Sequence, residues 1–194
     1  MTAPIHRIFG RSLDAEIPRG FDQAIFGMGC YWGVERLFWQ LEGIWLTEVG
    51  FAGGSVPDPS YEQVCEGTTG QAEVVRLVYD SSRVSYDRLL QLFWENHDPT
   101  QGDRQGSDLG SQYRSLIMYV TDSQRVAAER SKSDYGNRLA VGGFPRITTQ
   151  IVPAGPFYPA HAEHQQYLDR HPDGYCGLRG TGVKAHVTDI SEGI

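Results

Sequence analysis

The chain has 194 residues, 40% of them hydrophobic, so it can bury one substantial core without disulfide support and is sized for one domain. Its 24 acidic against 17 basic residues give a net charge of -7 with no run of Lys or Arg, which argues against nucleic acid and anionic membrane as partners. The opening segment has no continuous apolar stretch to act as a signal peptide and no later one would span a bilayer, so a soluble, cytoplasmic protein is expected.

Taken in chain order, a polar N-terminal arm precedes "QAIFGMG", which reads as a short buried strand. It feeds directly into a helix with Val34, Leu37, Phe38 and Leu41 at i, i+3, i+4 and i+7, so that Cys30 falls at the helix N-terminus. "IWLTEVGFAGG" reads as a second strand ending in a glycine turn, "SVPDPSYEQVCEG" as a loop with one helical turn, and "QAEVVRLVYD" as a strong strand. "SYDRLLQLFWENH" has a helical stripe of Leu89, Leu92 and Phe93, with Ser85 as its N-cap.

The segment "DPTQGDRQGSDLGSQYRS" is long, polar and glycine-rich, a kind of connection that is usually functional inside a compact domain. The strand "SLIMYV", a polar helix around "DSQRVAAERSKSDYG", the strand "RITTQIVP" and a helix near "AHAEHQQYLDRH" follow, then an irregular glycine-rich end. Alternating strands and helices with long loops predict an α+β sandwich rather than a doubly wound sheet. One catalytic domain over 1–194 is expected, with an arm over 1–20 and a tail over 172–194.

Cys30, Cys65 and Cys176 are an odd, widely spaced set without CxxC, which argues against a disulfide scaffold and a zinc ribbon. A sulfur at a helix N-terminus gains thiolate character from the amides that point at it. Glycines before Cys30 allow close approach, and Tyr31 and Trp32 could wall a pocket beside it. A packed cysteine at a strand-helix junction is the alternative on position alone.

The stretch "GCYWGVERLFW" resembles the signature of the A-class peptide methionine sulfoxide reductases, which carry GCFWG or a close variant around the nucleophile. "GFAGG", "YEQVCEGTTGQAEVVRLVYD", "LFWENHDPTQGDRQGSDLGSQYRS", "HQQYL" and "GYCG" extend the resemblance in order over roughly Phe21 to Val183. Tyr31 stands where the commonest signature has Phe. The resemblance implies a two-layer sandwich around a mixed sheet with a ferredoxin-like core, and thiol chemistry with no metal or organic cofactor.

By the same resemblance, Cys30 attacks the sulfoxide sulfur and Glu73 is the general acid. Period-2 alternation puts Glu73 on one face with Val75 and Leu77, where desolvation would raise its pKa. Tyr61 and Tyr113 match tyrosines that bind the sulfoxide oxygen, and Asp108 a carboxylate supporting them; Trp32 with Tyr31 would cage the S-methyl group. The S epimer is the implied substrate, free or within proteins. Cys176 matches the resolving cysteine that turns the Cys30 sulfenic acid into a disulfide, with thioredoxin as reductant. Relatives with a second recycling cysteine read "GVC" where this chain reads "GVK" with Lys184, so the second relay is missing. Cys65 lacks the glycine-rich setting of Cys176 and reads as structural, with a resolving role as the lesser alternative, and a monomer is expected.

Other classes fit less well. His161 and His164 in "AHAEH" match no zincin spacing and suit a solvated helix better than a metal site. A cysteine hydrolase could use His97 beside Asn96, but that histidine sits where a helix terminus favours it anyway. A thiol peroxidase would need a different Pro and Thr pattern before the cysteine. A non-enzymatic binder could use the same aromatic pocket, but would leave its thiols unchanged on meeting methionine sulfoxide.

Overall fold

A computed structural model describes residues 4–185; positions 1–3 of the expected arm and 186–194 of the expected tail lie outside the described residues. The strands β1 (Phe21–Met28), β2 (Ile44–Ala52) and β3 (Ala72–Asp80) form the centre of a six-stranded sheet. β1 and β2 flank β3 and both run antiparallel to it. Helix α1 (Tyr31–Trp39) crosses from β1 to β2, and the short α2 (Tyr61–Cys65) lies in the connection to β3. The N-cap Ser60 and Gln63 of α2 form a capping box, which holds this one-turn helix at the end of a glycine-rich loop.

Helix α3 (Tyr86–Asn96) starts at Ser85, whose hydroxyl accepts from the Arg88 N–H as the sequence predicts. The long polar connection after it holds a two-residue hairpin, β4 (Arg104–Gln105) with β5 (Asp108–Leu109), and a 3₁₀ turn over Ser111–Tyr113. It leads into β6 (Ser115–Tyr119), α4 (Asp122–Val141), β7 (Gln150–Pro153), β8 (Phe157–Pro159) and the single turn α5 (Tyr167–Arg170). The strand order is β7-β6-β1-β3-β2-β8, mixed because β6 and β7 are parallel.

Alternation along each strand separates two faces. Ala24, Phe26 and Met28 of β1 and Val75, Leu77 and Tyr79 of β3 face Val34 and Phe38 of α1, Leu89, Leu90 and Phe93 of α3, and Ala128 and Tyr135 of α4. Phe26 packs on Phe38 and Phe93 with ring centroids 5.6 and 5.3 Å apart. Burying each such ring contributes about 1.5–3 kcal/mol. On the opposite face Ile25, Val74, Leu116 and Met118 pack under Val152 and Phe157, while Leu13 and Ile17 of the arm cover Leu46 and Val78.

Two expectations change. The helix expected around "AHAEHQQYLDRH" shrinks to α5, because Gln166 takes a left-handed conformation (φ 48°, ψ 42°) that interrupts it. β8, a three-residue edge strand paired only to β2, was not expected. After α5, residues 171–185 run without helix or strand, and Lys184 pairs with Glu95 at 3.2 Å.

Candidate active site

The β1 to α1 junction sets the site. Gly29 has φ +92°, a left-handed conformation suited to glycine, and a Cβ there would stand 2.7 Å from Cγ of Gln105. Gln105 in turn binds Asp98 through both its amide atoms, so the long polar loop is pinned against the turn that presents Cys30. Cys30 is the N-cap residue of α1, half-buried, with a free thiol.

Glu73, the second residue of β3, lies on the helix-facing side beside Val75 and Leu77. Its Oε2 accepts the N–H of Tyr31 at 3.0 Å, which brings the carboxyl to the residue next to the thiol. Burial pushes its pKa up to about 8; the Tyr31 N–H opposes this and the charge of Asp108 adds to it. Glu73 is therefore mostly protonated at neutral pH.

The expectation of an acidified thiol is reversed. Burial raises the Cys30 pKa above its ordinary value, and Glu73, once ionised, and Asp108 raise it further. The nearby Trp32 N–H pulls the other way but does not offset them. A helix N-terminus favours the anion only while the sulfur keeps solvent and lacks acidic neighbours.

The remaining expected residues converge on this pair. Tyr61 opens α2, and Tyr113 closes the 3₁₀ turn; burial raises both phenol pKa values, so both are proton donors at neutral pH. Glu73 and Cys30 both lie near enough to Tyr113, and Cys65 and Glu73 near enough to Tyr61, to raise the phenol pKa further once they ionise. Asp108 opens the second strand of the hairpin and accepts the Tyr175 hydroxyl at 2.9 Å, which Ser107 also meets at 3.0 Å. Cys176, next to Tyr175 and exposed, has its sulfur against the first turn of α1, where a Cβ on Gly33 would be 2.8 Å away.

Tyr31 and Trp32 divide their tasks. Tyr31 is fully buried and packs on Phe51, forming a floor, whereas half-buried Trp32 forms a wall. Trp32 stacks on Tyr167 with centroids 4.0 Å apart and rings 17° from parallel. His164 stacks on Tyr61 at 4.5 Å and lies 5.9 Å from both Tyr31 and Trp32. The Tyr31 hydroxyl, Trp32 Nε1 and His164 Nδ1 are buried without a protein partner. Tyr167 and Tyr175 were not singled out from the sequence, and His164 was weighed there only as a metal ligand. The signal was there: His164 and Tyr167 are three apart in "HQQYL", and Tyr175 precedes the cysteine in "GYCG".

His97 does not serve Cys30. Its Nδ1 donates to the Phe93 carbonyl at 2.6 Å and its Nε2 accepts from Ser115 at 2.7 Å, so neither ring nitrogen is free to act as a base in a hydrolase. Among the described residues, no His, Cys, Asp and Glu cluster has a metal-holding arrangement. Cys65 is exposed, with its thiol beside the Tyr61 hydroxyl.

The family model "Peptide methionine sulfoxide reductase" matches residues 22–191. The chain is 55% identical over 179 residues to the peptide methionine sulfoxide reductase MsrA of Rhodospirillum centenum, covering 92% of this chain and 82% of the relative. Among solved structures it is similar to methionine sulfoxide reductase A of Corynebacterium diphtheriae, with a TM-score of 0.82 and 41% identity over 90% of this chain and 84% of that one. Mxr1 of Saccharomyces cerevisiae in its reduced form gives a TM-score of 0.77 and 30% identity over 86% and 97% of the two chains. Mxr1 has also been solved in complex with Trx2.

Proposed function

The chain belongs to the peptide methionine sulfoxide reductase family, in its A class, and is an oxidoreductase acting on methionine sulfoxide; from that premise we propose that Cys30 is its nucleophile and Glu73 its general acid. The observation that carries this is the buried Glu73 carboxyl bonded to the N–H of the residue after Cys30, where burial raises its pKa and favours the acid form.

Cys30 enters as a thiol. Its Sγ attacks the sulfoxide sulfur while Glu73 gives its proton to the oxygen, and the thiol proton passes to the Glu73 carboxylate left behind. The oxygen ends on Cys30 as a sulfenic acid, the substrate leaves as methionine, and Glu73 is again protonated. Tyr61 and Tyr113 donate hydrogen bonds to the oxygen as charge develops on it, and Asp108 supports Tyr113. Trp32 and Tyr31 hold the S-methyl group, with Tyr167 and His164 completing the aromatic surround. A chiral pocket of this kind takes one epimer, here the S form, free or within proteins.

Cys176 Sγ then attacks the Cys30 sulfenic sulfur, forming a disulfide and releasing water. Two thiols of a thioredoxin return both cysteines to the reduced state and leave as a disulfide; the Mxr1 complex with Trx2 supports this partner. The order β6-β1-β3-β2, with α1 and α3 on one face, supports reading the core as ferredoxin-like. We take the chain as one catalytic domain, with the arm over 1–20 and the tail over 172–194, working as a cytoplasmic monomer without metal or organic cofactor.

Thiol titration before and after excess methionine S-sulfoxide, without reductant, tests the sequence of steps. Loss of two thiols and release of about one methionine per chain, both abolished in Cys30→Ser, is expected. Unchanged thiols with no methionine would overturn the mechanism.

A further inference from the structure

Glu35 lies on α1 one turn beyond Tyr31 and Trp32 and is fully buried. Its carboxylate accepts the Gln166 backbone N–H at 2.8 Å, Gln166 Nε2 at 2.7 Å and the Thr47 hydroxyl at 2.9 Å. His6 fixes the direction of the last bond. The N–H groups of Ile8 and Phe9 both point at His6 Nδ1, at 3.1 and 3.3 Å, so that nitrogen accepts. The ring proton is therefore on Nε2, which donates to Thr47 Oγ1 at 2.8 Å, and the Thr47 proton goes to Glu35. Every group bonded to Glu35 is a donor, so these bonds favour the carboxylate against the burial that raises its pKa to about 7.

This cluster has no part in the proton transfers above, yet it holds the residue on which the aromatic surround depends. Gln166 is left-handed and not glycine, a conformation that persists only where its neighbours over-determine it. Glu35 accepts the Gln166 backbone N–H and side-chain NH₂, and Gln166 Oε1 accepts the Arg7 N–H at 3.2 Å. The next residue is Tyr167, stacked on Trp32, and two residues before is His164, stacked on Tyr61. Arg7 also pairs with Asp169 at 2.7 Å. His6 and Arg7 belong to the arm, outside residues 22–191 that match the family.

We propose that Glu35 is a positioning residue for substrate binding: by holding Gln166 in its left-handed turn it fixes the stack of Tyr167 on Trp32 that bounds the methyl pocket, and the N-terminal arm, through His6 and Arg7, is part of the same device. This rests on the reading of Trp32 as the pocket wall. The carboxylate sets where a ring stands and exchanges no proton with substrate.

The test is steady-state kinetics on methionine S-sulfoxide for Glu35→Gln, Gln166→Gly, Tyr167→Leu and the Glu35→Gln/Tyr167→Leu pair, with the iodoacetamide alkylation rate of Cys30 measured alongside. The carboxamide at 35 keeps the volume but turns a donor toward donors. Glycine at 166 folds into the left-handed turn without strain but loses the side-chain contacts to Glu35 and Arg7 that lock it there, so it decides the matter if Glu35→Gln does not fold. Each single variant is expected to raise KM about fivefold, with kcat within about twofold and alkylation unchanged. The pair should raise KM no further than Tyr167→Leu alone. A raised KM in Tyr167→Leu with none in the Glu35 and Gln166 variants would overturn the positioning role and leave the pocket reading intact. Unchanged KM in all three would overturn both. A loss confined to kcat, or effects that add in the pair, would equally overturn it, because Glu35 would then act by another route.

Discussion

The sulfur of Cys176 and the α-carbon of Gly33 are fitted to each other: a Cβ at 33 would stand 2.8 Å from that sulfur and 3.2 Å from Cβ of Leu178. Glycine inside α1 costs helix stability, about 0.5–1 kcal/mol relative to alanine, so its presence calls for a reason. The reason offered by the geometry is access of the tail to the first turn of the helix. Gly33→Ala is expected to leave Tm unchanged or slightly raised while slowing formation of the Cys30–Cys176 disulfide several-fold. Rapid quenching with thiol counting separates the two steps: the first methionine should form at the normal rate and the second thiol should disappear late. A disulfide that forms at the normal rate would show that the tail does not need this approach.

Glu73→Gln keeps an acceptor for the Tyr31 N–H and removes the acid. The expected loss in kcat is about 10²–10⁴-fold, the usual contribution of a positioned general acid. In the natural chain the acid form is lost as pH rises through about 8, so kcat should fall over that limb. The Glu73→Gln profile should lack it. A variant that keeps the alkaline fall would assign the limb to another group.

Much of this arrangement is legible in the sequence, and the exceptions share a cause. Alternation alone puts Glu73 on one face with Val75 and Leu77, and a 3.6-residue period begins α1 beside Cys30, because both signals are local. Gln166 departs from helix through contacts with Glu35, 131 residues away, which no window of sequence contains. The thiol was expected to acidify because its helix position is local, whereas its burial and the Asp108 charge come from distant segments. The arm looks polar, yet it buries His6 and Leu13 against β2. "FYP" of β8, three residues with a proline, is too short for any periodicity to register.

Tyr175 is tied to Asp108 and Ser107 through one hydroxyl while its neighbour supplies the resolving sulfur. A hydrogen bond to a carboxylate is worth about 1.5–3 kcal/mol at most, and less at a residue as exposed as this one. Tyr175→Phe is therefore expected to slow the second thiol loss about two- to fivefold. The burst of methionine should keep its rate, since Tyr175 lies outside the oxygen-binding set. A slowed burst would instead mean that Tyr175 governs Asp108 during the first step.

Buried titratable groups shape stability against pH in a way that can be worked out group by group. Glu35 and Glu73 ionise near 4.5 when unfolded but hold their protons to about 7 and about 8 when folded, through burial. Over those windows the folded chain binds more protons, so each lowers stability by about 1.4 kcal/mol per pH unit as pH rises. His6 and His97 do the opposite. Burial lowers both from 6.5 to about 4, so between those values the unfolded chain binds more protons and each raises stability by about the same amount per unit as pH rises. From about 4.5 to 6.5 the two pairs offset one another, which predicts a plateau in mildly acidic solution, a decline from pH 6.5 to 8, and a decline below 4.5. Urea unfolding at pH 5.5, 7 and 8.5 measures this directly. Glu73→Gln, which carries no charge to desolvate, should be more stable than the natural chain at pH 8.5 and should gain much less, about 1.4 kcal/mol, at pH 5.5. If the variant gained nothing at pH 8.5, Glu73 would have to be ionised in the folded protein at neutral pH, and it could not then be the proton donor.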